Sequence, residues 1–252
     1  MAELLSIILD VIAPIFIVMG IAYFIGRKLK PDPRSISPFL IYLFTPALVF
    51  RSLYETELTG GEIGGLTGVV FGVAFLMMLV GIGTARLFKY DTRTESAQVL
   101  TLIMVNAANY GITLNTFAFG EVGGQVATVY YVMNAMMSNV FGVFFASRGS
   151  VSLKDSMLNV VRVPIIYAAI LGLALNILDV KLPIIIERAF IDIAADAAIP
   201  LMLALLGLQL SRVRLSGRMR AVSLAAAMRL LLGPVFGAGL ALLFGLSGLP
   251  FK

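Results

Sequence analysis

The sequence predicts an all-α membrane protein that crosses the bilayer several times, and three observations carry that expectation. Of the 252 residues, 60% are hydrophobic and 13% charged, with a mean hydropathy of +0.99. Soluble domains hold about 45–50% apolar and about 25% charged residues. A soluble core cannot absorb the surplus apolar surface, whereas lipid can. The apolar runs are about 20 residues long, the length a helix needs to cross about 30 Å of hydrocarbon. Strands of a membrane barrel would be about 10 residues long with alternating polarity. The segments between the runs alternate in charge, as the connections of a polytopic protein do.

Eight segments qualify as spans: Leu4–Gly26, Ile36–Tyr54, Leu66–Leu87, Ala97–Phe119, Val126–Ala146, Val163–Leu178, Pro183–Leu210 and Ala221–Phe244. The first lacks a basic leader, carries Glu3 and Asp10, and has no small-residue cleavage site before Arg27. It reads as a retained helix rather than a signal peptide. The second carries Pro46 at mid-helix, which predicts a kink. Before the third, Gly60-Gly61 and Gly64-Gly65 read as loop punctuation, while Gly68, Gly72, Gly81 and Gly83 read as close-packing positions. The fifth has a small polar group, Asn134, Ser138 and Asn139, which reads as interhelical glue. The sixth is short. The seventh is long, opens on the charged stretch Glu187–Asp196 and carries Pro200.

Fourteen of the 19 Lys and Arg residues fall on one side of this topology: Arg27 to Arg34, Arg86 to Arg93, Arg148 to Arg162, and Arg212 to Arg220. The other side carries Glu55, Glu57, Glu62, Glu121 and Asp179, with Lys181. The basic side is therefore expected in the cytoplasm, with both termini outside a multi-pass cell-membrane protein. The net charge of +5 follows from the same bias. No basic patch carries interleaved aromatics, so nucleic acid is not an expected partner; the lipid bilayer is.

The chain has no Cys and no His, which excludes disulfides and thiol chemistry and removes the commonest general base and metal ligand. No phosphate loop is present among the glycines. An enzyme is not expected, and neither is a cofactor or a metal.

The fourth span is the most informative. It reads Asn106-Ala-Ala-Asn109-Tyr110-Gly111-Ile112-Thr113-Leu114-Asn115. Polar side chains at this depth are costly unless they face protein or water. In a regular helix Asn106, Asn109 and Tyr110 share one face, and Gly111 favours unwinding. The expectation is an interruption near Asn109–Gly111, whose free backbone groups would face a polar cavity. The same residues would also serve as hydrogen-bond glue between helices. Asp196 and Arg229 are two ionisable residues inside predicted spans. Asp196 would carry a proton or sit at the outer interface. Arg229 would counter an anion or snorkel to the cytoplasmic surface.

A weak internal repeat is visible. Ala13-Pro14-Ile15-Phe16 with Gly20 parallels Val163-Pro164-Ile165-Ile166 with Gly172, and Thr45-Pro46-Ala47-Leu48 parallels Ile199-Pro200-Leu201-Met202. The members of each pair start on opposite sides of the membrane, as an inverted repeat would leave them, although Pro and Gly are also common in spanning helices.

These stretches, with Gly26-Arg27-Lys28, Phe117-Ala118-Phe119-Gly120-Glu121, Phe145-Ala146-Ser147-Arg148-Gly149 and Arg229-Leu230-Leu231-Leu232-Gly233-Pro234, resemble the auxin efflux carrier family in its prokaryotic branch. That family is related in fold to bile acid sodium symporters. The resemblance covers nearly the whole chain. It implies a secondary transporter of small organic anions, auxin-like weak acids or dicarboxylates, built from two inverted five-helix repeats whose broken helices cross at the substrate. Coupling to a proton or to sodium stays open. The repeats would divide the chain into 1–147, a cytoplasmic linker 148–162, and 163–252. The substrate-binding residues would be Asn106, Asn109, Tyr110, Gly111, Thr113 and Asn115, with Pro46, Pro200 and Arg229. Two departures stand out. Thr113 occupies the place where the crossover usually has proline, and the ninth and tenth helices do not appear, so the second repeat reads as truncated. The rival expectation is a shortened, non-transporting scaffold of the same family. A second copy of the chain, as a homodimer, is one way to cover the polar face.

Overall fold

The computed structural model describes residues 7–146, 163–213 and 219–248. Every regular element among them is helical. The expected linker at 148–162 lies outside the described residues, as does the side chain of Asn139. The helices are α1 (Ala13–Leu29), α2 (Pro33–Phe39), α3 (Thr45–Tyr54), α4 (Gly60–Leu87), α5 (Thr92–Ile103), α6 (Thr113–Ala146), α7 (Pro164–Ile177), the short α8 (Ile184–Ile186), α9 (Asp196–Leu210) and α10 (Met219–Leu243).

Six helical stretches among the described residues are long and apolar enough to cross a membrane: Leu9–Leu29, Pro33–Tyr54, Gly60–Leu87, Thr92–Gly142, Ile184–Leu210 and Val222–Leu243. The 51-residue stretch Thr92–Gly142 holds both the fourth and fifth expected spans. Gly120 separates them, with a left-handed φ of 71° and a ψ of −165° inside α6. That backbone conformation suits glycine. The sixth expected span is the shorter apolar helix Pro164–Ile177. Each of the eight apolar segments thus has its helix.

One boundary differs from expectation. Helix α4 begins at Gly60, so the two glycine pairs lie inside it rather than in a loop. The reason is a capping box: the Thr59 hydroxyl accepts from the Glu62 amide, and the Glu62 carboxylate accepts from the Thr59 amide. Two orphan amides are satisfied at once, which offsets part of the roughly 1 kcal/mol that each glycine costs in a helix.

Two compact units are present, each made of three chain segments. The first comprises Met1–Glu57, Asn106–Tyr131 and Pro164–Arg214. Within it α1 packs on α9, and α3 packs on α7. The leading helix of each half therefore meets the proline-bearing helix of the other half. Close approach is set by small residues: a Cβ on Gly172 would lie 2.6 Å from the Phe50 carbonyl oxygen, and one on Gly207 would strike the Met19 carbonyl. The core of this unit holds Leu40, Ala47, Leu48, Ile112, Ala195, Ala198 and Met202.

The second unit comprises Leu58–Val105, Val132–Val163 and Leu215–Lys252. Here α4 packs against α5 and α10. Gly68, Gly72 and Gly81 take the expected close contacts, with Phe244, Leu240 and Val99 against them, whereas nothing approaches Gly83 within 4 Å.

Candidate functional site

The polar segment of the fourth span begins at a break. Helix α5 ends at Ile103, and Met104, Val105 and Asn106 are not helical. Met104 has a ψ of 127° and Asn106 a ψ of 63°. The chain then re-enters a helix through a widened turn, Ala107–Ile112, in which the Gly111 amide donates to the Asn106 carbonyl at 3.2 Å. The interruption is real but lies at Met104–Asn106, ahead of the expected Asn109–Gly111. Gly111 lies within the helical turn that follows the break, not in the break itself. Asn106, Asn109 and Tyr110 consequently do not share one regular helical face, because Asn106 precedes the helix.

Asn106 is exposed, and its side chain makes no capping bond to the turn it precedes. The first amides of that turn point toward it, the positive end of a helix dipole. Asn109 and Tyr110 are half-buried. Tyr110 packs against the small cluster of Ile15, Met19 and Leu203. Thr113 is fully buried. Its amide donates to the Tyr110 carbonyl, and its hydroxyl donates to the Asn109 carbonyl at 3.4 Å. Asn115 Nδ2 donates to the Gly111 carbonyl at 2.8 Å, and Thr116 Oγ1 to the Ile112 carbonyl at 2.9 Å. Asn115 therefore commits a donor to its own helix.

Widened turns recur in the first unit, over Ile7–Ile12, Leu40–Phe44, Ala107–Ile112 and Glu187–Ala195. Each is followed within a few residues by Pro14, Pro46, Thr113 or Pro200. Proline lacks an amide proton, and its ring crowds the carbonyl four residues back. A wider turn moves that carbonyl aside. The Thr45 amide accordingly reaches back five residues to the Leu40 carbonyl just before Pro46. Such insertions often sit at functional sites.

The other expected residues are distributed differently. Pro46 lines a cavity of about 260 Å³ together with Phe50, Leu171, Leu175, Ile186 and Phe190. Its walls are apolar, and none of the asparagines contributes to them. Pro200 is exposed. Arg229 lies in the second unit, half-buried, with its guanidinium Nη1 donating to the Leu102 carbonyl at 3.0 Å.

One ion pair escaped sequence reading. Arg51, on α3, pairs with Asp196 at the start of α9 and also donates to the Ile191 carbonyl at 3.4 Å. Asp196 thus has a cationic partner from the other half of the chain, a likeness of depth that no spacing in the sequence encodes. Nearby, burial holds the Glu55 carboxyl above its ordinary range; Arg51 lowers it, while Glu121, Glu187 and Asp192 raise it further. Gln125 clamps the same corner, donating to the Glu55 carbonyl at 3.0 Å and accepting from the Glu57 amide at 3.1 Å.

The chain matches the family described as membrane transport protein over residues 7–155 and 150–252. It is also 25% identical over 231 residues to a protein of Methanothermobacter thermautotrophicus described as an uncharacterized transporter, an alignment covering 88% of this chain and 74% of that protein. The family match spans nearly the whole chain, and the chain belongs to the membrane transport protein family of auxin efflux carrier type.

Proposed function

We propose that this transporter carries small organic anions, auxin-like weak acids or dicarboxylates, across the cell membrane, and that the break at Met104–Asn106 is where they bind. The observation that carries this reading is the exposed Asn106 side chain at the positive end of the Ala107–Ile112 turn. Helix starts of this kind bind carboxylates through free amides and the dipole, and transporters use broken helices in this way. Asn106 would orient the carboxylate, Asn109 and Tyr110 would line its approach, and Gly111, Thr113 and Asn115 would hold the widened turn. Pro46 and Pro200 would act through the winding of their own helices. Proton or sodium coupling, and termini outside, belong to the same proposal.

The test is uptake into proteoliposomes of labelled malonate and of an indole carboxylic acid, with and without imposed proton and sodium gradients. Saturable uptake is expected, with Asn106→Ala raising KM about tenfold, the worth of one hydrogen bond to a charged group. Absence of uptake of either anion by folded protein would refute it and favour a non-transporting scaffold.

A further inference from the structure

We infer that Arg229 and Asn134 are positioning residues that fix where the fourth span breaks, by supplying the hydrogen bonds that the missing helical turn would have made. Leu102 and Ile103 end α5, and both are buried, at 0% and 4% exposure. In a continuous helix their carbonyls would accept from the amides of Asn106 and Ala107. The turn from Met104 to Asn106 carries those amides away. Arg229 Nη1 donates to the Leu102 carbonyl at 3.0 Å, and Asn134 Nδ2 donates to the Ile103 carbonyl at 3.3 Å. Two consecutive carbonyls thus receive donors from two other helices, α10 and α6. Ser138 Oγ donates to Asn134 Oδ1 at 3.5 Å, which orients the amide.

Charge adds to the fit. The guanidinium stands at the negative end of α5, where a cation is favoured. An arginine inside a span is costly without a partner, and here a helix end is that partner. Without these donors, rewinding the helix through Val105 and Asn106 would restore the hydrogen bonds of the two buried carbonyls. Rewinding would pull Asn106 out of its exposed position.

The consequence for transport rests on the anion-site reading above; the capping itself does not. The experiment measures amide hydrogen exchange over Met104–Asn109 in the full chain, beside uptake. For Arg229→Leu with Asn134→Ala, exchange is expected to slow about tenfold as the helix rewinds, and KM for the anion to rise. Arg229→Lys and Arg229→Gln keep a donor and are expected to stay near wild type in exchange. If the double variant fails to fold, Asn134→Ala alone is read, with the same direction and smaller size. Exchange unchanged in the variants that lose donors overturns the inference. An Arg229→Gln variant that loses uptake as fully as Arg229→Leu with exchange unaltered overturns the positioning role of Arg229 in transport, since the charge would then act on the anion directly. Slowed exchange with unaltered KM supports the capping role and removes the anion site from this break.

Discussion

At Thr113 the backbone amide turns to the Tyr110 carbonyl, and the hydroxyl takes up the Asn109 carbonyl four residues back. The side chain thereby does for the turn what proline does elsewhere in this unit: it ends the ordinary i to i−4 bond from the backbone. Thr113→Val should lower stability by about 1 kcal/mol, leaving a buried acceptor with less than its share of hydrogen bonding. Thr113→Pro should cost more than Thr113→Val, because it removes both the hydroxyl and the amide that donates to the Tyr110 carbonyl. Thermal unfolding in detergent compares the two, and a smaller loss for proline would contradict this account. Glu55 offers a second measurement. Burial raises its carboxyl pKa in the folded state, so the native chain holds a proton more tightly than the unfolded one. This contribution to stability is present at low pH and is lost as pH rises from the ordinary glutamate value through the raised one. Glu55→Gln should remove that decline and slightly raise Tm at neutral pH. The effect is small because the side chain is exposed. An unchanged pH profile of Tm would count against it.

At the scale of the helix, small residues decide which elements touch. Gly172 lies against the Phe50 carbonyl, so Gly172→Val must separate α7 from α3. Overpacking of this kind costs about 1–3 kcal/mol, and the same substitution at Gly20, with open space around it, should cost far less. Paired unfolding measurements at the two positions give the answer; equal losses would mean that α7 and α3 tolerate the separation. Apolar length and proline position were legible in the sequence, and so the helices and their kinks were expected. The location of the break was not. Glycine and asparagine pointed to Asn109–Gly111, but a helix ends where its last carbonyls find other donors. Those donors, Arg229 and Asn134, come from 127 and 31 residues away along the chain.

For the whole molecule, the basic loops give a topology that labelling can check. The native chain has no Cys background, so Glu57→Cys should react with an impermeant thiol reagent added outside cells and Arg86→Cys should not. The opposite pattern would invert the orientation drawn from charge. Membership of the transport family agrees with eight apolar segments folded into helices, two of them sharing one stretch through Gly120.

The sequence by itself determined the solvent of this protein, the helical kind of its spans, its family, and the segment in which the polar break lies. These follow from composition, run length and ordered local motifs, all readable along one chain. Only the tertiary structure decided that α1 meets α9 and α3 meets α7, that Arg51 answers Asp196, and that Arg229 and Asn134 cap the broken helix. Each of these depends on groups far apart in sequence arriving at one place. In a membrane span the price of an unpaired charge or carbonyl guarantees that such a partner exists, but the identity of the partner is set by packing.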